Sequence, residues 1–347
     1  MNYLRMCMLI VVAAIVSIQS IAKPLVIAHR GASGYLPEHS LEAAILAYAQ
    51  GADYIEQDLV LSQDHIPIVL HDIHLESVTN VEQVFPDRHR DDMRYYAMDF
   101  TLAELRLLRK HERTDEKGVQ VFPNRYQGLS PFTITTFEQQ INLLTQLNRQ
   151  FNKQVGMYPE IKSPAWHKTQ GADISKIVLD ILRKYELDRA DSPVFVQCFD
   201  FAETQRLRNE LGANVKLVQL IAENDWQESA TDYEGLKTAK GLQAIAKVAQ
   251  GIGPWLPQLY DFKTQQPTEL VGLAKQHGLL IHPYTFRQDQ LPEGLSSTDT
   301  LNVLFKQLRV DGVFTDFTDV VVGYLAEQDA TANVEVADKS LNQLSGR

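Results

Sequence analysis

Short β-like runs alternate with helical periodicity over 347 residues, which predicts an α/β fold, a distorted TIM (β/α)8 barrel with a small inserted subdomain after the third strand. Three observations carry this expectation. Repeated strand–helix–strand units favour parallel strands, and the length suits one closed barrel with an insertion. The link Ser62–His65 is too short to hold a crossover helix, so the barrel is distorted there. Roughly eighty residues separate His71 from Met157, far more than an ordinary strand-to-helix loop needs.

The β-like runs are Leu25–Ala28, Tyr54–Leu59, Ile66–Leu70, Gly156–Ile161, Pro193–Gln197, Val215–Leu220, Gly251–Pro254, Leu279–Tyr284 and Gly312–Thr315. These exceed the eight places of a barrel, so at least one run is an edge piece or misread. The helices are marked by their ends. Ser40 can cap Leu41–Gln50, and Gly51 can stop it. Thr101 and Glu104 form a capping-box pattern before a short helix reaching about Lys110. Thr136 precedes a stripe of Phe137, Ile141, Leu144, Leu147 and Phe151. Asp173 opens the stripe Ile174 to Tyr185, Asp200 opens Phe201–Leu211, Thr268 opens Glu269–His277, and Thr298 opens Asp299–Arg309.

The stretch from about 73 to 131, rich in Asp, Arg and aromatics, reads as the inserted subdomain. It is expected to cover the barrel mouth and shape one side of the pocket. Residues 23–327 then form the barrel domain, and 328–347 a polar tail expected to be disordered.

The N-terminus reads as an export signal over residues 1–22. Arg5 gives a positive start, Met6 to Ile18 is apolar, and Ser20-Ile21-Ala22 offers small residues for cleavage before Lys23. An uncleaved anchor is the competing reading, but the apolar stretch is short for a bilayer span. Removing the segment also removes Cys7 and leaves only Cys198. No intrachain disulfide is then available, so the core must supply the stability. A periplasmic or secreted protein is expected. The formal net charge of -11 argues against a nucleic-acid binder, yet leaves room for a small phosphorylated substrate.

Barrel active sites lie at the C-terminal strand ends, and the polar residues gather there. His29-Arg30-Gly31 closes the first run, Glu56-Gln57-Asp58 the second, His71-Asp72 the third, and Glu160-Ile161-Lys162 the fourth. Alternate strand residues share a face, so Glu56 and Asp58 project together, as do Glu160 and Lys162. Three converging carboxylates would repel one another, and a divalent cation held by Glu56, Asp58 and Glu160 is the simplest relief. All-oxygen ligands favour a hard ion, Ca²⁺ or Mg²⁺, over Zn²⁺, and the number and flexibility of the side chains lean towards Ca²⁺.

Each feature alone has a plainer explanation. Glu56 and Asp58 can pair with Arg30 and Lys162 in a structural network, and a lone His is more often structural than catalytic. His39, His74, His89 and His111 read as structural or solvated. Tyr126, Trp166 and Trp255 read as core or rim packing rather than pocket lining.

Taken together, these segments carry a resemblance. Ile27-Ala28-His29-Arg30-Gly31, Pro37-Glu38, Glu56-Gln57-Asp58, Val69-Leu70-His71-Asp72 and Pro159-Glu160-Ile161-Lys162 resemble the signature set of glycerophosphodiester phosphodiesterases. Tyr284-Thr285 and Asp311 to Asp316 are similar to that family's last two barrel strands. The likeness spans Pro24 to about Leu325, and the long insertion with Ile252-Gly253-Pro254 and His282-Pro283-Tyr284-Thr285 is most similar to the periplasmic branch. The chain departs from the family's usual Pro-Glu-Asn-Thr with Pro37-Glu38-His39-Ser40.

The resemblance implies hydrolysis of glycerophosphodiesters to glycerol 3-phosphate and an alcohol. In this scheme His29 and His71, with pKa values expected near neutrality, act as base and acid. Arg30 and Lys162 meet the phosphate. Tyr284 packs on the glycerol. The rival readings are a phospholipase C- or D-like enzyme acting on intact lipids, and an exported binding protein without catalysis.

Overall fold

The computed structural model describes residues 23–345, with side chains through 331; the expected export signal lies outside the described residues. The first strand, Leu25–Ala28, pairs in parallel with both Tyr54–Leu61 and Gly312–Thr315. From Tyr54–Leu61 the ring continues in parallel through Gly156–Ile161, Phe195–Cys198, Lys216–Ile221, Gly251–Pro254 and Leu280–Ile281. The segment after Ile281 closes it against the last strand, where the Phe314 N–H donates to the Pro283 carbonyl at 3.0 Å and the Phe286 N–H to the Phe314 carbonyl at 2.8 Å.

The surplus β-like run is Ile66–Leu70. Its strand, Pro67–Val69, pairs antiparallel with Tyr54–Leu61 and takes no place in the parallel ring. The short link Ser62–His65 makes a hairpin because it leaves no length for a crossover. The hairpin carries the chain away from the mouth and returns it, so the Leu70 N–H donates to the Asp58 carbonyl at 2.9 Å. His71 thus reaches the mouth from an antiparallel return, not from the end of a barrel strand.

Hydrogen-bonded caps fix the helices that surround this ring. Ser40 accepts from the Ala43 N–H, and Gly51 ends Leu41–Gln50 at φ 92°, where a side chain would be strained. Thr101 and Thr136 make capping boxes at Leu102–Leu105 and Phe137–Phe151. Asp173 and Asp200 cap Ile174–Lys184 and Phe201–Asn209. The helix expected after Thr298 starts earlier. Ser296 and Asp299 form its capping box, Ser297–Asn302 is α-helical, and Val303–Leu308 relaxes to π geometry. The closing helix, Thr318–Ser345, runs through the segment expected to be disordered. Its polar composition suggests a solvated tail, but no Gly or Pro interrupts residues 324–345. No described helix is long and apolar enough to cross a membrane.

Ile27, Tyr158, Phe195, Val218 and Phe314 fill the barrel interior. Tyr158 stacks on Phe195 at 5.0 Å and meets the edge of Phe314 at 5.0 Å. The insertion has its own core, in which Val78, Val81, Tyr95, Phe100 and Leu105 pack on Val60 and Ile68 of the hairpin. This apolar platform docks the insertion and fixes the arginines it carries to the site.

Candidate active site

The mouth of the barrel holds a cavity of about 220 Å³, and His29, Arg30, Glu56, Asp58, His71 and Glu160 all line it. The two imidazoles, three carboxylates and the guanidinium expected there therefore share one cavity, whereas the expected ammonium of Lys162 does not line it. Parallel pairing sets part of it, because Asp58 and Glu160 are register partners on adjacent strands. The turn after the first strand sets another part. Arg30 lies in the left-handed region at φ 59° and Gly31 at φ 82°. A Cβ on Gly31 would stand 2.7 Å from the Ala43 carbonyl carbon, so only glycine fits here. The Arg30 backbone is held on both sides: its N–H donates to Glu56 Oε2 at 2.7 Å, and its carbonyl accepts from the His39 N–H at 2.9 Å.

Each imidazole has a carboxylate behind it. His29 Nδ1 lies 2.6 Å from Asp316 Oδ1, and His71 Nδ1 lies 2.6 Å from Asp72 Oδ1. Holding Nδ1 in this way orients each ring and leaves its Nε2 to work. Both partners stood in the sequence, Asp72 directly after His71 and Asp316 at the end of the last strand. The signal that could have found them is a carboxylate at a strand end facing a predicted imidazole.

The expectation of near-neutral histidines is corrected. Burial, reinforced by the Arg30 charge, pushes His29 down to about 4. Burial, with Arg30 and Lys162, pushes His71 down to about 3. Both rings are thus neutral at pH 7 in the free site.

The acidic pair is fully enclosed, with Glu56 2% and Asp58 1% exposed. Burial and the neighbouring Asp58 charge push Glu56 well above the usual carboxylate range. Ligand atoms of His39, Glu56 and Asp58 lie within 4.8 Å of one another, a donor set that fits a divalent cation. His39 is a residue sequence reasoning passed over. It replaces the asparagine usual in the resembling motif, and its Nε2 stands 2.8 Å from Asp58 Oδ2. Glu160, the third expected ligand, lines the cavity but stands outside this cluster, with its Oε1 2.9 Å from Lys162 Nζ.

The two cations expected on a phosphate separate. Arg30 lines the cavity, with Nη1 3.0 Å from Glu38 Oε2 and Nε 3.4 Å from Asp58 Oδ2. Lys162 is turned to Glu160 and to His71 Nε2, 3.5 Å away, and does not line the cavity. Arg287 does line it, donating from Nε to Asp316 Oδ2 at 2.7 Å; no sequence motif pointed to it. Tyr284 lines the cavity as expected, its hydroxyl donating to the Ile221 carbonyl at 2.8 Å. Trp255, expected as packing, lines it too. Trp166 behaves as rim packing, stacked on Tyr96 at 5.6 Å.

The insertion does not shape the pocket in the expected way. Among the described residues, none from 73–131 lines the cavity. It reaches the site through two arginines instead. Arg113 grips Glu38 through Nε at 3.1 Å and Nη2 at 2.7 Å, and gives Nη1 to Asp72 Oδ2 at 2.6 Å. Arg125 sets Nη2 2.8 Å from Asp316 Oδ2. The partners of Arg30, His71 and His29 are therefore each held from the insertion.

A parallel barrel with paired imidazoles, guanidinium groups and a cation-ready acidic cluster at its mouth defines a phosphoryl-handling hydrolase. The model of the glycerophosphoryl diester phosphodiesterase family matches residues 29–320. A glycerophosphodiester phosphodiesterase of Haemophilus influenzae is 41% identical, over 87% of this chain and 89% of the relative. A crystal structure from Silicibacter pomeroyi superposes with a TM-score of 0.69 at 22% identity, covering 88% of this chain and 95% of that one. An Oleispira antarctica phosphodiesterase, solved with its product sn-glycerol-3-phosphate, gives a TM-score of 0.59 at 19% identity and covers 87% of this chain and 97% of its own. At those identities the solved structures speak for the fold. The chain belongs to the glycerophosphoryl diester phosphodiesterase family.

Proposed function

We propose that this enzyme hydrolyses glycerophosphodiesters to glycerol 3-phosphate and a free alcohol, with His29 as base and His71 as acid. The observation that carries the assignment is the pair of carboxylate-backed imidazoles facing one cavity. Neutral His29 can accept the proton of the attacking hydroxyl, either from water, which gives glycerol 3-phosphate directly, or from the substrate's own glycerol, which gives a cyclic phosphate that a water then opens. As the phosphorus–oxygen bond breaks, His71 gives its proton to the departing alcohol oxygen. With its pKa pushed down to about 3, His71 needs a charge brought by the substrate before it can carry a proton on Nε2 at pH 7. A bound phosphodiester anion supplies the negative charge that loads its proton, and Asp72 stabilises the imidazolium. Arg30 and Arg287 face the phosphate oxygens, and Lys162 adds positive charge beside His71.

Glu56 and Asp58 would hold the cation, with Glu160, which lines the cavity beside them, or His39, which clusters with them at Asp58, completing the set. When bound, the ion supplies Lewis-acid stabilisation of phosphoryl charge. The carboxylate donors support a hard ion, and the number and flexibility of these side chains support Ca²⁺ over Mg²⁺. The apolar leader and single remaining cysteine support a periplasmic or secreted location. The test is to incubate the mature protein with glycerophosphodiesters and with intact phospholipid, each with and without chelator, and measure glycerol 3-phosphate. Chelator-sensitive release from the diesters alone is expected. Release of phosphatidic acid or a phosphorylated head group from intact lipid would reassign the substrate.

A further inference from the structure

Trp226 and Trp255 are 40% and 37% exposed, among the few large apolar side chains left open to solvent, and both line the active-site cavity. Their rings meet edge to face, with centroids 5.2 Å apart. Solvent-facing indoles within a catalytic cavity are not explained by core packing, and no step of the reaction derived above uses them.

Their place in the ring is informative. His29, Glu56 and Asp58 come from the first two barrel strands. Phe199, Trp226 and Trp255 follow the strands Phe195–Cys198, Lys216–Ile221 and Gly251–Pro254, on the opposite arc. The cavity is therefore divided into a charged wall that suits the phosphate and an aromatic wall facing it. Phe199 and Tyr284 continue the aromatic wall, edge to face at 5.9 Å. One acidic side chain, Glu228, also lines the cavity. It is 35% exposed and reaches Lys162 Nζ only at 3.9 Å, while Lys162 has the closer partner Glu160 at 2.9 Å. The acidic group of Glu228 is thus largely left to face the cavity.

Electron-rich indole faces beside an acidic group, open to water on one side, match a diffuse organic cation. A phosphate or a neutral polyol has no such match: an anion is repelled by Glu228, and a polyol asks for hydrogen bonds that these rings do not offer. We infer that Trp226, Trp255 and Glu228 form a head-group subsite that favours diesters whose alcohol carries a quaternary ammonium. This rests on the reaction proposed above and names its preferred substrate class.

The test compares glycerophosphocholine with glycerophosphoglycerol, which share the glycerol phosphate and differ in the charge of the alcohol. In Trp226→Ala and Trp255→Ala, kcat/KM for the choline ester should fall by about 3- to 30-fold more than for the glycerol ester, through KM. Trp255→Phe should recover part of that difference, and Glu228→Gln should lower the preference in a salt-dependent way. Choline alone should quench the tryptophan fluorescence of the wild type saturably, and the double variant Trp226→Ala/Trp255→Ala should abolish the effect. Equal losses for both esters would place the indoles on the shared glycerol and overturn the subsite, as would the absence of saturable choline quenching. A wild type inert towards both esters, yet binding choline, would instead sink the reaction assignment and leave the subsite standing.

Discussion

Replacing Asp316 with asparagine isolates the contribution of a residue that never meets substrate. Asp316 is 1% exposed and has three cationic or ring-nitrogen neighbours: His29 at 2.6 Å, Arg287 at 2.7 Å and Arg125 at 2.8 Å. Burial works against its charge, yet Arg287 and His29 hold the carboxyl well below the usual carboxylate range. An asparagine can serve only one side. With its oxygen towards His29, its NH₂ meets two guanidinium groups. With its oxygen towards the arginines, its NH₂ forces His29 into the tautomer that carries its proton on Nε2, the wrong one for a base. Breaking a buried ion pair costs roughly 3–5 kcal/mol. Arg125 keeps Asp289 at 2.8 Å and Arg287 is 24% exposed, so the loss should sit at the low end, about 3 kcal/mol by urea denaturation. If the ring takes the wrong tautomer, kcat for glycerol 3-phosphate release should fall by about 10²–10⁴-fold. KM should change far less, because Asp316 does not line the cavity. A folded Asp316→Asn enzyme with kcat within about threefold of wild type would refute the idea that this carboxylate sets the His29 tautomer.

Other outcomes follow from the same geometry. His71→Ala should remove about 10²–10⁴-fold of kcat without unfolding the barrel, and its loss should shrink for substrates whose leaving alcohol is already acidic, such as a nitrophenyl ester. Arg113→Ala should lower activity from outside the cavity, since it frees both Glu38 and Asp72; a double-mutant cycle with His71→Ala should show strong non-additivity. The pH dependence of stability provides an independent check. Burial pushes His282 down to about 3, with Nδ1 2.8 Å from the Tyr158 hydroxyl and Nε2 without a partner among the described residues. A histidine whose folded pKa is depressed contributes stability above its unfolded pKa of about 6.5 and loses it as pH falls towards the folded value. The wild type should lose about 2 kcal/mol on this account between pH 6.5 and 5, and His282→Asn should lose that much less over the same interval.

Most of the ring was legible because its strands end in chemistry and its helices begin in caps. Leu25–Ala28, Gly156–Ile161, Gly251–Pro254 and Gly312–Thr315 carry the bounds that pattern alone predicts. The misread element was Ile66–Leu70, because an apolar run of that length reads the same in either direction. Only the four-residue link before it hinted that the chain turns back.

By itself, the sequence determined which chemical groups stand at the mouth. Strand ends and alternation of faces depend on local geometry, so His29, Glu56, Asp58 and Glu160 could be placed together without coordinates. Contacts between residues far apart in the chain were decided only by tertiary structure. Arg113 and Arg125 grip the site from the insertion, and Asp316 backs His29 across 287 residues. Burial then moved both histidines away from neutrality, because desolvation depends on what surrounds a side chain in space and leaves no trace in the order of residues.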